Sequence, residues 1–250
     1  MLARLKNKYE LLKNRRHSSF LCMYIFIGLK TIRRYPVTGI YKIFKNIFYS
    51  YIISYRLHGY TLLPKVIFDI EVFPIEIFVN NKISFKSTYK FSFVFQNFLS
   101  GKTTACIAVE KDGFFNIKNT FYIGNGVKIV VQNNAELIIE GIEKSLSGIT
   151  CDTIIICSKR ILIGADSIIS WNVYISDSSQ HKIAGTLKID DVEIGKRVWL
   201  SEGVTISYGT IIGEGSIVGS KSFLNGSYDS NALIVGVPAK IKKYNIIWER

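Results

Sequence analysis

The stretch IGKRVWLSEGVTISYGTIIGEGSIVGSKSFL, residues 194–224, repeats a pattern every six residues. One position of each repeat is always aliphatic, at Ile194, Leu200, Ile206, Ile212, Val218 and Leu224. The position four residues later is small or β-branched, at Val198, Val204, Thr210, Ser216 and Ser222. A fixed step of this kind predicts stacked structural units that share one continuous core.

The same step returns upstream of this stretch. Cys151, Cys157, Ile163, Ile169 and Ile175 share one six-residue register, and Ile123, Ile129 and Ala135 continue it more loosely. The two main registers are 19 residues apart, from Ile175 to Ile194, which is one residue more than three repeats. We therefore expect residues 176–193 to leave the regular wall as a loop.

The spacing has a simple physical interpretation. A short strand of alternating residues buries one aliphatic side chain, a tight corner follows, and the next repeat forms the neighbouring wall. Three such walls close a triangular coil of about eighteen residues, so the pattern predicts a mainly β chain folded as a parallel β-helix. A flat β-sandwich with coincidental spacing is the alternative.

The rest of the chain divides into segments around this repeat. We expect a basic amphipathic helical segment over 1–60, a strand-rich entry over 61–118, the β-helix over 119–243 and a tail over 244–250. The clearest helix runs from Thr38 as N-cap to Gly59, because Ile40, Ile43, Phe44, Ile47, Phe48, Tyr51, Ile52 and Tyr55 form one apolar stripe.

The positive charge is concentrated in the first segment. The formal net charge is +13, and residues 1–60 hold twelve Lys and Arg against one acid, Glu10. Such a segment suits an anionic membrane surface or a helical cap on the open end of the β-helix, and both readings stay open. No nucleic-acid-binding motif accompanies it, so no nucleic acid partner is expected.

The cellular setting follows from the cysteines and the first apolar run. Cys22, Cys106, Cys151 and Cys157 form no C-x-x-C pair, and the run from Phe20 to Leu29 lacks a signal-peptide cleavage pattern. That run is shorter than the roughly 20 residues that cross a bilayer. We expect a cytoplasmic protein, peripheral to the inner face of the membrane if the basic segment binds lipid.

Three passages resemble the hexapeptide-repeat acyltransferases, in the branch that O-acetylates sugars and polysaccharides. They are ISWNVYISDSSQH at 169–181, IGKRVWLSEGV at 194–204 and IVGVPAK at 234–240. The resemblance covers about residues 120–243. It implies a left-handed β-helix, assembly as a homotrimer with active sites between subunits, and acetyl-CoA as co-substrate.

The resemblance also implies a catalytic group. His181 matches the family's catalytic histidine, a general base that takes a proton from the attacking hydroxyl. Asn172 and Asp177 match positions near the acceptor, where they would bind the sugar or orient His181. Equally open are an asparagine that forms a corner ladder and an aspartate that caps a turn.

The acetyl-CoA site is implied in the same way. The residues that match are Trp199, Ser201, Gly203, Gly219, Ser220, Ser222 and Lys240. A backbone N–H near Ser201 to Gly203 would bind the oxyanion, and Lys240 would contact the nucleotide phosphates. Trp199 could instead be an aromatic packed between subunits. Ser201 and Lys221 stand where the family commonly has smaller residues, which narrows the groove.

The resemblance thus implies an acetyl-CoA-dependent O-acetyltransferase acting on a sugar or glycan, in bacterial surface polysaccharide biosynthesis. The alternatives are a serine or amino-sugar N-acetyltransferase on the same fold and a non-catalytic β-helical scaffold. No metal is expected, because a γ-type carbonic anhydrase needs three histidines on zinc, and His17 and His58 lie outside the repeats.

Overall fold

The computed structural model describes residues 20–69, 72–85, 91–98, 103–142 and 147–249. Two helices come first, α1 over Phe20–Arg34 and α2 over Gly39–His58. Residues 1–19 of the predicted basic segment lie outside the described ranges. None of the described helices is long and apolar enough to span a bilayer.

The strands form three sheets, which we call faces A, B and C, and one hairpin. Face A contains β1 (Val66–Asp69), β4 (Phe93–Gln96), β7 (Phe121–Gly124), β10 (Gly148–Ile149), β13 (Ile168–Ile169), β18 (Trp199–Leu200), β21 (Ile217–Val218), β24 (Leu233–Gly236) and β25 (Ala239–Lys243). Face B contains β2 (Ile75–Val79), β5 (Ala105–Val109), β8 (Lys128–Val131), β11 (Ile154–Cys157), β14 (Tyr174–Ser176), β19 (Thr205–Ile206) and β22 (Phe223–Leu224). Face C contains β3 (Ser84–Phe85), β6 (Phe114–Ile117), β9 (Glu136–Ile139), β12 (Arg160–Ile163), β17 (Val192–Ile194), β20 (Ile211–Ile212) and β23 (Ser227–Tyr228).

Each strand of a face pairs in parallel with the strand of the same face in the next coil, except β25, which pairs antiparallel with β24. Ile169 pairs with Leu200 and Leu200 with Val218 on face A, while Ile175 pairs with Ile206 on face B. A chain that visits three faces in turn and returns one row further is a parallel β-helix, not a β-sandwich. The predicted fold class, a mainly β left-handed parallel β-helix preceded by helices, is confirmed.

The repeating register forms the core. The residues of the six-residue register, from Ile194 to Leu224 and from Cys151 to Ile175, are at most 3% exposed. The small positions from Val198 to Ser222 are buried as well, at no more than 1% exposure. Each buried aliphatic side chain stabilises the fold by about 1.5–3 kcal/mol. One such residue in every repeat therefore stabilises each closed coil of the β-helix.

The β-helix begins at Val66, earlier than the predicted residue 119. Val66 pairs with Phe93, 27 residues later, whereas Leu200 pairs with Val218, 18 residues later. The first coils are longer because long connections join their strands, and their core is filled by phenylalanines, with Phe93 and Phe95 fully buried. Longer coils hide the six-residue period, so residues 61–118 read as unassigned strands although β1 to β6 already belong to the three faces.

Helix α2 lies across the open end of the first coil. Leu57 accepts a hydrogen bond from the Ile83 amide (2.8 Å), Ser54 Oγ from the Val66 amide (2.9 Å), and Arg56 donates to the Ile77 carbonyl (2.9 Å). These contacts reach residues at all three faces. The helix begins after Thr38, which makes no side-chain capping bond, and ends at Gly59, whose φ is +83°.

The apolar stripe predicted on α2 points away from the β-helix. Ile40, Phe44, Phe48 and Tyr55 are each more than 60% exposed, whereas Ser50 and Ser54 are buried. Small residues face the first coil because a helix that crosses an open end must approach it closely. Packing on the β-helix therefore does not account for the stripe.

Candidate functional site

A β-hairpin replaces the expected loop at 176–193. Strands β15 (Ser178–Ile183) and β16 (Thr186–Ile189) pair in antiparallel fashion, and Ala184 and Gly185 at the tip have φ of +48° and +79°. Two positive φ values in a two-residue loop are typical of a type I′ turn, which suits the twist of a hairpin. The predicted base, His181, lies on β15 and is exposed.

Asp177 attaches the base of this hairpin to the preceding coil. Its side chain is fully buried, Oδ1 accepts a hydrogen bond from the Ser158 amide (2.7 Å) and Oδ2 from the Lys159 amide (2.8 Å). Burial, together with this carboxylate, raises the pKa of the Cys157 thiol, which lies 3.6 Å from Oδ2. Asp177 thus caps a turn, and both carboxylate oxygens have partners within the fold.

Further polar contacts hold the hairpin at its corner. Gln180 Nε2 donates to Ser158 Oγ (3.1 Å) and Ser176 Oγ (3.3 Å). Lys159 Nζ lies 3.1 Å from Asp190 Oδ1 and 2.8 Å from Asp191 Oδ1, and these bonds raise the pKa of Lys159. His181 therefore lies on a strand whose base is fixed on both sides.

Most of the other predicted residues lie on a different corner, between faces A and B, which we call the AB corner. Asn172, Gly203 and Lys221 stack there in successive coils with φ of +57°, +67° and +61°. The Gly203 amide donates to the Trp171 carbonyl (3.1 Å) and the Lys221 amide to the Glu202 carbonyl (3.0 Å). Within one chain, Asn172 thus lies on the AB corner with Gly203 and Lys221, away from the hairpin that carries His181.

Among residues 201–203, where the oxyanion donor was expected, one backbone amide has no acceptor in the described part of the chain. The Ser201 amide already donates to the Val218 carbonyl (3.0 Å), and the Gly203 amide to Trp171. Among the hydrogen bonds of the described residues, the Glu202 amide donates none. Of the backbone amides of 201–203, the Glu202 amide is therefore the candidate donor to the oxyanion. Sequence reasoning did not single out this residue.

The residues expected to bind acetyl-CoA divide into accessible and buried ones. Ser220 and Lys240 are exposed. Lys240 pairs with Val235 on the neighbouring strand. Val235 also lies close to Gly219, because a Cβ on Gly219 would approach its side chain to 2.6 Å. Ser222 is 1% exposed, donates to the Gly219 carbonyl (2.7 Å) and accepts from the Gly236 amide (3.1 Å). The expectation that Ser222 contacts a ligand is corrected, because its hydroxyl closes the corner.

Trp199 lines a groove on the outside of face A. Its ring is 36% exposed, Nε1 donates to Ser170 Oγ (3.3 Å), and its centroid is 6.0 Å from that of Trp248. The groove has a volume of about 500 Å³ and also touches Tyr122 and Gln96. Trp248 was missed because it lies in the tail, outside every repeat.

His181 and the AB corner are on opposite sides of face B. The hairpin leaves between β14 and β17, hence from the corner between faces B and C, which we call the BC corner. One wall of six extended residues spans about 15–20 Å. A base must come within about 3 Å of the proton it takes, so one chain alone does not assemble the predicted site.

No group of three His, Cys, Asp or Glu side chains suited to a metal occurs in the part of the chain that the structure describes. The residues predicted from the sequence to act in catalysis or to bind acetyl-CoA are accessible on two surfaces, the His181 hairpin and the AB corner. The hairpin presents the exposed imidazole of His181. The AB corner presents the backbone amide of Glu202 beside accessible small residues.

Comparison with known proteins gives partial matches. No family model matches the chain. The crystal structure of "the polySia specific acetyltransferase NeuO" is 23% identical, with a TM-score of 0.41, over 74% of this chain and 79% of that chain.

Two curated proteins are more similar in sequence. The "Putative lipopolysaccharide biosynthesis O-acetyl transferase WbbJ" of Escherichia coli K12 is 33% identical over 37% of this chain and 56% of its own length. The "Uncharacterized 24.8 kDa protein in cps region" of Klebsiella pneumoniae is 32% identical over 56% of this chain and 63% of its own length. The chain spans less than two thirds of either relative. The six-residue repeat and the three-faced β-helix thus accompany a partial sequence similarity to these two curated proteins.

Proposed function

We propose that the protein is an acetyl-CoA-dependent O-acetyltransferase that modifies a sugar hydroxyl in surface polysaccharide biosynthesis. The observation that carries this proposal is an exposed histidine, His181, on a hairpin that replaces one regular corner of the β-helix. Its support from similarity is the name of the Escherichia coli relative, a lipopolysaccharide O-acetyl transferase.

The chemistry needs a base, an oxyanion donor and a leaving thiolate. The His181 imidazole takes the proton of a sugar hydroxyl while that oxygen attacks the thioester carbonyl of acetyl-CoA. The Glu202 amide donates to the oxyanion that forms. When the tetrahedral intermediate collapses, the carbon–sulfur bond breaks and the imidazolium returns its proton to the CoA thiolate. The products are the acetyl ester and free CoA.

The separation of the two surfaces supports a site that is shared between two copies of the chain. The BC corner of one chain carries His181, and the AB corner carries the Glu202 amide, with a whole face between them. In a cyclic homotrimer, the hairpin of one subunit can meet the AB corner of the next, and three identical sites result. We therefore include the homotrimer in the proposal.

The AB corner offers a surface suited to acetyl-CoA. Gly219 and the exposed Ser220 lie beside Val235, and the exposed Lys240 pairs with Val235 on the neighbouring strand. Small side chains let an extended pantetheine arm approach the backbone, while a lysine supplies a point charge for nucleotide phosphates. We assign these residues, with Trp199 at the next coil, to co-substrate binding.

A cytoplasmic setting and peripheral contact of residues 1–60 with an anionic membrane also belong to the proposal. The exposed basic and aromatic residues of α2 support that contact. Asp177 enters as a positioning residue, because its carboxylate holds the base of the hairpin.

The first test is activity. His181→Ala should lower transfer of acetyl from acetyl-CoA to sugar acceptors by about 10²–10⁴-fold, the usual contribution of a general base. Lys182→Ala, an equally exposed neighbour on β15, is the matched control and should retain activity. Purified protein that neither transfers nor hydrolyses acetyl-CoA with any sugar or amine acceptor would favour a scaffold.

The second test addresses the shared site. Ser220→Trp places a bulky ring on the exposed AB corner, and we expect it to be inactive like His181→Ala. Mixed trimers of the two inactive variants contain one intact site each, so co-refolding equal amounts should restore about a quarter of wild-type activity. If mixed trimers form and stay inactive, each site lies within one chain and the shared-site proposal fails.

A further inference from the structure

Helix α2 has two faces of opposite character. The inner face, against the first coil, consists of Gly39, Asn46, Ser50, Ile53, Ser54 and Leu57, all buried. The outer face carries Ile40, Tyr41, Phe44, Phe48, Tyr51, Ile52 and Tyr55, all exposed. At 3.6 residues per turn these two sets fall on opposite sides of the helix. The large apolar side chains thus face away from the protein.

The inner face already has its partners. Ser50 Oγ donates to the Asn46 carbonyl (2.7 Å), and the Val66 amide donates to Ser54 Oγ (2.9 Å). Leu57 is fully buried in the core of the first coil. Capping the β-helix is therefore complete without the aromatic face, and a different role has to account for that face.

The outer face is large and continuous. Phe44, Phe48 and Tyr55 are 68%, 63% and 63% exposed, and they follow one another at steps of four and seven residues, one and two helical turns. From Ile40 to Tyr55 the stripe is about 22 Å long at 1.5 Å per residue. Contiguous exposed apolar surface of this kind marks a binding surface, because leaving it in water is unfavourable.

The positive charge around the apolar stripe of α2 favours an anionic partner. Residues 20–60 contain six Lys and Arg and no Asp or Glu, and of these six Lys30 pairs with Asp69 of the first coil (2.6 Å). Lys45 is exposed beside the stripe, and Arg34 is exposed at the end of α1. A second copy of the same helix would bring these like charges together, whereas anionic phospholipid would neutralise them. Tyrosine and phenylalanine also suit the boundary between headgroups and acyl chains.

We infer that the outer face of α2 docks on an anionic lipid surface, with the helix lying in the plane of the interface. This names the face within the basic segment and gives its orientation. Because α2 crosses the open end of the first coil, the β-helix stands away from the lipid. The inference does not depend on acyl transfer, so vesicle binding and enzyme assays can fail separately.

The test is sedimentation of the full chain with vesicles. Vesicles of phosphatidylcholine with about 30% phosphatidylglycerol should bind the protein at least tenfold more tightly than pure phosphatidylcholine, and salt should weaken binding. Phe44→Ser with Phe48→Ser should lower the partition at least tenfold, and Lys45→Glu with Arg34→Glu should act in the same direction. Circular dichroism and thermal melting check that each variant is folded.

The matched control is Phe78→Ser with Phe114→Ser, two phenylalanines that are 62% and 58% exposed on the walls of the β-helix. Vesicle binding should be unchanged in this control. Equal binding of the control and the α2 variant would overturn the inference. So would a wild-type oligomer that Phe44→Ser with Phe48→Ser dissociates, because the stripe would then contact a second copy.

Discussion

Asp177 Oδ1 lies 2.7 Å from the backbone nitrogen of Ser158, and this contact joins the hairpin that carries His181 to the preceding coil. The carboxylate is fully buried, and its other oxygen accepts from the Lys159 amide at 2.8 Å. Charge-assisted bonds to backbone amides are among the stronger ones in proteins. Asp177 therefore affects the chemistry of His181 through the geometry of the hairpin.

Removing this carboxylate should cost stability. We expect Asp177→Ala to lower the free energy of unfolding by about 2–4 kcal/mol, because two buried N–H groups lose their acceptors. Asp177→Asn should cost less, since its amide oxygen still serves one of them. Denaturant unfolding measures both. If kcat falls in Asp177→Asn while stability and the pH profile of kcat stay unchanged, a direct catalytic role replaces the positioning role.

Two glycines provide a matched pair of substitutions. A Cβ on Gly124 would lie within 1.5 Å of the Thr150 carbonyl oxygen in the next coil, whereas a Cβ on Gly28 in α1 would meet Ile43 Cδ1 at 3.7 Å. Gly124→Ala should therefore destabilise by more than about 3 kcal/mol. Gly28→Ala should stabilise by about 0.5–1 kcal/mol through helix propensity. Melting temperatures that move in the same direction would contradict the close approach of the two coils.

His58 should make stability depend on pH. Its Nδ1 donates to the Ile83 carbonyl (2.7 Å), and Nε2 lies 2.6 Å from Ser92 Oγ. Burial, with smaller effects of Lys65 and Lys82, lowers the pKa of His58 to about 4 from 6.5. The unfolded chain takes up the proton first, so stability is present above about pH 6.5 and is lost as pH falls towards 4.

The size of this effect is about 3 kcal/mol. His58→Gln keeps a donor and an acceptor but does not titrate in this range. The difference in unfolding free energy between wild type and His58→Gln should therefore shrink by this amount as pH falls from 6.5 to 4. A difference that stays constant with pH would show that the histidine is not held neutral by the fold.

Ser220 and Ser222 should behave differently although they are two residues apart. Ser222→Ala leaves the Gly236 amide without its acceptor and should cost about 1–2 kcal/mol of stability with an unchanged KM for acetyl-CoA. Ser220→Trp should leave stability within about 0.5 kcal/mol, as surface changes usually do, and abolish acetyl transfer. Thermal melts and initial-rate kinetics separate the two. The opposite assignment of effects would restore Ser222 to the ligand groove.

The repeat from Ile194 to Leu224 predicted its coils because each wall there has the same length. The first coils could not be recognised in this way, since Val66 and Phe93 are 27 residues apart and long connections interrupt the walls. The amphipathic pattern predicted α2, but not which face packs. Small residues on the inner face, such as Ser50 and Ser54, carry no hydropathy signal that marks them as buried.

The sequence also predicted only part of the candidate site. The register placed His181 outside the walls, and the structure has a hairpin there. The same register also separates Asn172, three residues after Ile169, from Asp177, two residues after Ile175, and so assigns them to successive corners. The resemblance grouped these residues by sequence, and only the corner geometry distributes them over two sides of a face.

The number of strands on face A determines the distance between the first coil and each later coil. From β1 to β18 the chain climbs five rows, and neighbouring strands are about 4.8 Å apart, so the coil that carries Trp199 stands about 24 Å from the first coil. With α2 on a lipid surface, acetylation would occur at a fixed height above it. The number of coils between α2 and Trp199 would then determine which sugar of a membrane-attached chain is modified. Inserting or deleting one coil would move that height by about 5 Å.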